Sequence, residues 1–183
     1  MHKLVSGMKC WLFLLILFVV IFQGCYSAVR LYNKGNEKFR SGDLDGAIED
    51  YNQAIEIDPG YASAYYNRGI AYEDLGDSGN ALMDYTKAIE INPDYVDAYI
   101  NRGGLLLEEG DFEGAIKDFT HAIRINPYHA TAYFNRGSAW RGIKEYKNAI
   151  EDFKRAMELD PAKKEKASAE IKFCESRIKD LSL

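Results

Sequence analysis

Apolar residues recur through most of the chain at the three- and four-residue spacing of a helix, and the pattern restarts at a fixed interval. Ala115, Ile116, Phe119, Ala122 and Ile123, for example, share one helical face. The four prolines, Pro59, Pro93, Pro127 and Pro161, lie 34 residues apart. A Gly-Asp pair precedes each of the first three prolines, at Gly42-Asp43, Gly76-Asp77 and Gly110-Asp111. Each interval therefore predicts two helices. Glycine ends the first because it adopts positive φ without a steric penalty. Proline ends the second because it lacks an amide hydrogen and restricts the residue before it. In the fourth interval Lys144-Glu145 replaces Gly-Asp, and a different turn geometry is expected there.

Other positions keep the same register. Gly35, Gly69, Gly103 and Gly137 recur, as do Ala47, Ala81, Ala115 and Ala149, then Ala54, Ala88, Ala122 and Ala156. An aromatic recurs at Tyr51, Tyr85, Phe119 and Phe153. The small residues let two helices approach closely, and larger side chains there would cost about 1–3 kcal/mol in overpacking. A period of this length is the signature of a stacked helical repeat. This set of positions resembles the tetratricopeptide repeat (TPR) family, and the likeness runs over 28–161. One departure is Lys38, which stands where the family places an aromatic, with Phe39 beside it. The resemblance implies an all-α fold, an α-solenoid of four TPR helix-turn-helix repeats at 28–61, 62–95, 96–129 and 130–163. Residues 164–183 then read as a C-terminal capping helix, with Ala167, Ile171, Cys174, Ile178 and Leu181 on its apolar stripe. Cys174 on that stripe reads as packing rather than as a reactive thiol.

The N-terminus follows another pattern. Residues Trp11 to Phe22 are all apolar and follow a short stretch carrying Lys3 and Lys9, which is the anatomy of a signal peptide. The run Ile21-Phe22-Gln23-Gly24-Cys25 resembles the lipobox of bacterial lipoproteins, with Gly24 and Cys25 matching and Phe22 and Gln23 departing from the usual residues. That resemblance implies lipidation of Cys25. The alternative is an uncleaved anchor, since Cys10 to Val29 carries no charge and, at about 1.5 Å per residue, a helix of that length reaches about 30 Å. Simple secretion is a third possibility. Residues 1–24 are accordingly read as signal peptide or membrane anchor. The repeats are expected at a cell-envelope membrane on the non-cytoplasmic side, and the lipoprotein reading is favoured.

Charge and chemistry narrow the function. The formal net charge is −5 with interspersed signs, and no basic patch points to nucleic acid. The cysteines and histidines fall in no metal-ligand spacing. No nucleophile elbow or phosphate-binding loop is present. No enzyme activity and no cofactor are expected.

One polar recurrence needs a reason. Asn33, Asn67, Asn101 and Asn135 recur in the first helix of each repeat, followed by Lys34, Arg68, Arg102 and Arg136. Asparagine is a poor helix former, but its amide both donates and accepts. The row resembles the asparagine ladder of some TPR superhelices, which implies contact with the main chain of a peptide in the concave groove. Structural bridging between repeats explains it equally well. Tyr32, Tyr66, Ile100 and Phe134 precede this row and would supply pockets for partner side chains, although inter-repeat packing is the better reading for at least two of them. Asp50, Asp84, Asp118 and Asp152 are placed to form structural ion pairs with the cations after the asparagines. Asn36 and Asn67 match two places of the carboxylate-clamp subtype that holds chaperone C-termini. Tyr32, Asp97 and Asn101 stand at its cation positions, so that activity is not expected. The resulting expectation is a membrane-tethered scaffold or adaptor that binds a protein or peptide in its groove. The alternative is a non-catalytic assembly or regulatory subunit of an envelope complex, docking through convex or edge surfaces.

Overall fold

A computed structural model describes residues 27–180. The apolar segment, Cys25 and Leu181 lie outside the described residues. Within them the chain is all helix and turn. Helix α1 covers 27–41, and α2 follows at Leu44–Ile57. Next come α3 (Ala62–Asp74), α4 (Ser78–Ile91), α5 (Val96–Glu109) and α6 (Phe112–Ile125). They are followed by α7 (Ala130–Gly142), α8 (Tyr146–Leu159), a 3₁₀ turn at Pro161–Lys163 and α9 (Lys164–Asp180). No described helix is long and apolar enough to cross a membrane. The chain forms two compact units that divide within α4, one ending at Asp84 and one starting at Tyr85.

The turns between paired helices follow the glycine pattern. Gly42, Gly76 and Gly110 have φ of 84°, 78° and 84°. Gly110 N–H donates to Leu107 O and Asp111 N–H to Leu106 O, at 3.2 and 2.8 Å, which satisfies carbonyls that the end of a helix leaves open. The following aspartate caps the next helix: Asp43 accepts from Gly46 N–H, Asp77 from Asn80 N–H and Asp111 from Gly114 N–H. The expectation of a different fourth turn is corrected. Lys144 takes φ 65° and keeps the same two hydrogen bonds, to Arg141 O at 3.0 Å and from Glu145 N–H to Trp140 O at 2.9 Å. The packing of the repeat fixes this turn, and lysine accepts the left-handed conformation to preserve it. Glu145 makes no side-chain cap bond, so this turn lacks both local aids.

Each second helix ends at an Asp or Asn whose carboxylate or amide oxygen receives the N–H two residues on. Asp58, Asn92, Asn126 and Asp160 do this at 3.0–3.2 Å, bending the chain around the following proline.

Helix pairing rests on small residues facing aromatic rings. In the first unit, a Cβ on Gly35 would come within 2.6 Å of the Tyr51 ring. In the second unit, a Cβ on Gly103 would come within 2.9 Å of the Phe119 ring, and one on Gly137 within 2.9 Å of the Phe153 ring. Helix α9 closes the C-terminal end, with Ala167 and Cys174 fully buried beside Ala149 and Phe153. Burial also pushes the Cys174 thiol up from its ordinary range, in keeping with packing rather than reactivity.

The cations after the asparagine row make the strongest polar contacts. Arg102 forks onto Asp118, with Nε and Nη2 each 2.8 Å from a carboxylate oxygen, while Nη1 donates to Thr86 at 3.0 Å. Arg136 repeats this with Asp152 and Thr120, and Arg68 with Asp84 and Asn52. Each arginine thus joins a helix sixteen residues ahead to one sixteen residues behind. The ion pairing expected from the sequence is present, and it is buried: the Asp84, Asp118 and Asp152 side chains are 6% exposed. Burial pushes the Asp84 and Asp152 carboxyls up, with the facing guanidinium partly opposing it. The first repeat solves the problem differently. Asp50 meets two ammonium groups, Lys34 at 3.0 Å and Lys38 at 2.8 Å. Burial would raise its carboxyl, but the two lysines outweigh it and hold it below the ordinary value. Lys38, out of pattern in the sequence, is therefore the second cation that a single lysine in place of arginine requires.

Two outcomes follow. Breaking a buried pair on one side costs about 3–5 kcal/mol, so Arg102→Ala should lose that much in urea unfolding of the repeat region. Arg102→Met combined with Asp118→Leu should recover most of the loss. Lys144→Gly should raise stability by about 1 kcal/mol, because glycine removes the left-handed penalty of about 1–2 kcal/mol at some cost in chain entropy.

Candidate peptide-binding site

The structure brings two of the proposed binding residues together in the first unit. Tyr32 of α1 and Asn67 of α3 line a cleft of about 310 Å³ with Asn36, Phe39, Arg40, Tyr51 and Ile70. Positions 32, 36, 39 and 40 share one face of α1 because they are spaced by three and four residues. Tyr51 rises from α2 beneath them and Asn67 reaches across from α3.

A short polar chain organises the cleft. Tyr51 O–H donates to Asn36 Oδ1 at 2.8 Å. The Asn67 amide nitrogen donates to the same oxygen at 2.8 Å and to Tyr32 Oη at 3.0 Å. Asn36 Oδ1 therefore receives two hydrogen bonds, and both amide hydrogens of Asn67 are engaged. Among the described residues, the amide nitrogen of Asn36 and the amide oxygen of Asn67 keep their hydrogen-bonding capacity. One donor and one acceptor side by side match a peptide group. The walls are aromatic and aliphatic, with Tyr32 tilted against Tyr51 and Tyr61 at centroid distances of 6.0 and 4.9 Å. Arg40, which is exposed, is the one cation lining the cleft among the described residues.

The remaining candidates lie elsewhere. Asn33 is exposed on a separate shallow cleft with Val29, Arg30, Lys34 and Glu37. Tyr66 is half-buried. Asn101 in the second unit donates to Tyr85 Oη at 3.4 Å, a longer bond than those of Asn67. Asn135 is half-buried and makes no side-chain hydrogen bond among the described residues. The position one repeat after Tyr85 is Phe119, which has no hydroxyl to offer. Phe134 packs edge-on against Phe153 at 5.3 Å, with Lys163 Nζ 5.9 Å from its ring centre. The row is therefore not chemically uniform. Asn67 bridges adjacent repeats, as the structural reading of the row expects, and it lines a cleft as well. Phe39, Arg40 and Ile70 are not marked as binding residues by the sequence, and Asn36 only as a match to one place of the carboxylate clamp; the three- and four-residue spacing from Tyr32 marks Asn36, Phe39 and Arg40.

Among the described residues, no group of three His, Cys, Asp or Glu side chains could hold a metal ion. A larger cleft, of about 710 Å³, occurs in the second unit, where Tyr133, Arg136 and Trp140 of α7 meet Asn148, Glu151 and Arg155 of α8.

Paired antiparallel helices, a 34-residue period and glycine-to-aromatic packing define a helical-repeat protein. Family models make the assignment specific. A TPR repeat model matches residues 35–76, and a tetratricopeptide repeat model matches 62–95, 96–129 and 130–163. The chain belongs to the tetratricopeptide repeat family. Its solved structural neighbours include MamA 41-end from Desulfovibrio magneticus RS-1, at 24% identity over 84% of this chain and 86% of that one, with a TM-score of 0.77. A tetratricopeptide repeat protein from Parabacteroides merdae matches at 24% identity, covering 83% and 61%, with a TM-score of 0.75. The Arabidopsis OM64 TPR domain is 30% identical over 63% of this chain and 94% of its own length, with a TM-score of 0.60. No curated protein matches the chain. TPR repeats point to protein partners, and their members are generally non-catalytic interaction scaffolds.

The Tyr51 phenol gives the cleft a measurable signature. Burial pushes it up to about 12, with the Tyr32 hydroxyl adding to this and the neighbouring Asn67 amide partly opposing it. The folded value lies above the unfolded one, so its contribution to stability is complete below pH 10 and is lost as pH rises toward 12. Stability of the repeat region should fall across that window, and Tyr51→Phe should flatten the fall in denaturation curves recorded at successive pH values.

Proposed function

We propose that this chain is a membrane-tethered TPR scaffold that holds an extended segment of another protein in the cleft between α1, α2 and α3. One observation carries the reading. Asn36 and Asn67 are fixed by their own hydrogen bonds and still present a donor and an acceptor beside an aromatic wall. A peptide group of the partner would bond this pair, an apolar side chain would enter between Tyr32, Phe39 and Ile70, and Arg40 would favour an acidic neighbour. Groups held in place before binding lose less freedom on complex formation.

The tether is part of the proposal. The apolar segment from Trp11 to Phe22 and Cys25 support attachment to an envelope membrane. Cys25 would carry the lipid, with the repeats on the non-cytoplasmic side. Two acyl chains on one cysteine would anchor stably where a single chain binds only marginally.

A second reading has its own observation. The second unit has its own, larger cleft between α7 and α8, whose Tyr133, Trp140, Arg136 and Arg155 are residue types that recur at binding hot spots. It supports a non-catalytic assembly or regulatory subunit that docks on a folded partner. Peptides selected from a displayed library against residues 27–183 separate the two. Arg40→Ala and Asn67→Ala should each weaken binding about tenfold, equivalent to about 1.4 kcal/mol, with helicity retained. Binding that survives both but falls with Trp140→Ala moves the site to α7 and α8.

A further inference from the structure

The C-terminal end of the repeat region has a cover of its own. At the C-terminal end α9 packs its buried Ala167 and Cys174 over the last repeat and turns charged residues outward. A stacked array needs such a cover, with a polar outer face, at each end. At the N-terminal end no helix precedes α1 among the described residues, and the chain there leads back within a few residues to the apolar segment.

The exposed edge of α1 shows what it is suited to meet. In later repeats the third position of the first helix is a fully buried alanine, at Ala64, Ala98 and Ala132. In the first repeat that position is Arg30, which is exposed. Four positions on, Arg68, Arg102 and Arg136 each donate to the preceding repeat. Lys34 stands there in α1. It reaches Asp50 at 3.0 Å and leaves 59% of its side chain exposed. Val29, Arg30, Asn33, Lys34 and Glu37 converge on an open cleft of about 270 Å³. This edge exchanges an alanine for a cation and gathers a guanidinium, an ammonium and an amide around one small depression, against the single carboxylate of Glu37 among its lining residues. Such donors suit phosphate oxygens, whereas a further repeat would meet a desolvated arginine.

We propose that this edge of α1 rests on the phospholipid headgroups of the membrane that holds the N-terminus, with Arg30, Asn33 and Lys34 taking lipid phosphate. The proposal rests on the tethered reading. Cys25 precedes the first described helical residue, Ser27, by two positions, a reach of about 7 Å at most for an extended chain. An anchor at Cys25 therefore places the first turns of α1 at headgroup depth. Val29, 41% exposed, adds apolar contact there. Each cation near an anionic surface contributes modestly, but the tether holds the edge at a high effective concentration, so a weak contact becomes occupied. The membrane then closes the N-terminal end as α9 closes the other.

The test uses the full chain, isolated with its N-terminus intact and reconstituted into vesicles. One set mixes phosphatidylethanolamine with anionic phosphatidylglycerol and another is phosphatidylcholine alone. The photo-crosslinking residue p-benzoylphenylalanine replaces Val29 in one sample, Asn33 in a second and the exposed Tyr128 in a third. Flotation reports attachment, and mass spectrometry reports lipid adducts. The expected result is flotation of all three, with lipid adducts at positions 29 and 33 several-fold above position 128. Arg30→Glu should lower the adduct yield in the anionic vesicles more than in phosphatidylcholine. Flotation with equal or absent adducts at 29 and 33 overturns the docking and leaves the tether standing. Failure to float overturns the tether, and the docking with it.

Discussion

A buried carboxylate in the second helix of each repeat is the feature on which the other contacts depend. Asp50, Asp84, Asp118 and Asp152 lie inside the helix packing with at most 4% of each residue exposed. An ion taken out of water costs several kcal/mol unless a partner meets it. Each is met by a cation sixteen residues earlier, and in three repeats the same arginine also reaches the preceding repeat. The pairing fixes which way the first helix is rotated. That rotation turns the glycine toward the aromatic ring of the second helix and leaves the face that begins with the asparagine available for other contacts.

The first repeat shows the constraint operating when one residue type changes. Lysine cannot fork across a carboxylate as arginine does. Lys38 supplies the missing charge, and it also bonds the Gly46 carbonyl at 3.1 Å. The aromatic function passes to Phe39, which joins the wall of the Tyr32–Asn67 cleft. A change forced by burial in the interior thus helps to shape the surface.

Much of the fold was legible because its determinants are local and repeated. Proline spacing, Gly-Asp turns and small residues in register each report one requirement per repeat, and three or four copies of each make the pattern unmistakable. Lys144 was less legible. A lysine does not advertise positive φ, and only the bonds to Arg141 and Trp140 show that the repeat imposes it. The Asx turns at Asp58, Asn92, Asn126 and Asp160 were hidden by the alternation of two residue types. The candidate site was legible only in part. The asparagine row could be read, but not that Asn67 spends both amide hydrogens internally, nor that Asn36 would be its partner. Those facts depend on α1, α2 and α3 meeting, which no single periodicity encodes. The same holds for Asn135, whose amide is unclaimed because Phe119 replaces tyrosine on another helix.

On the proposed function, the arginine–aspartate pairs hold the architecture and the Asn36–Asn67 cleft takes the peptide. Side-chain amide and guanidinium signals in nuclear magnetic resonance separate these roles within one sample of residues 27–183 titrated with a library-selected peptide. The Asn36 and Asn67 amide signals should move with the peptide while the Arg102 and Arg136 guanidinium signals stay in place. Shifts concentrated at the Trp140 indole and Arg155, with Asn36 unmoved, would contradict it.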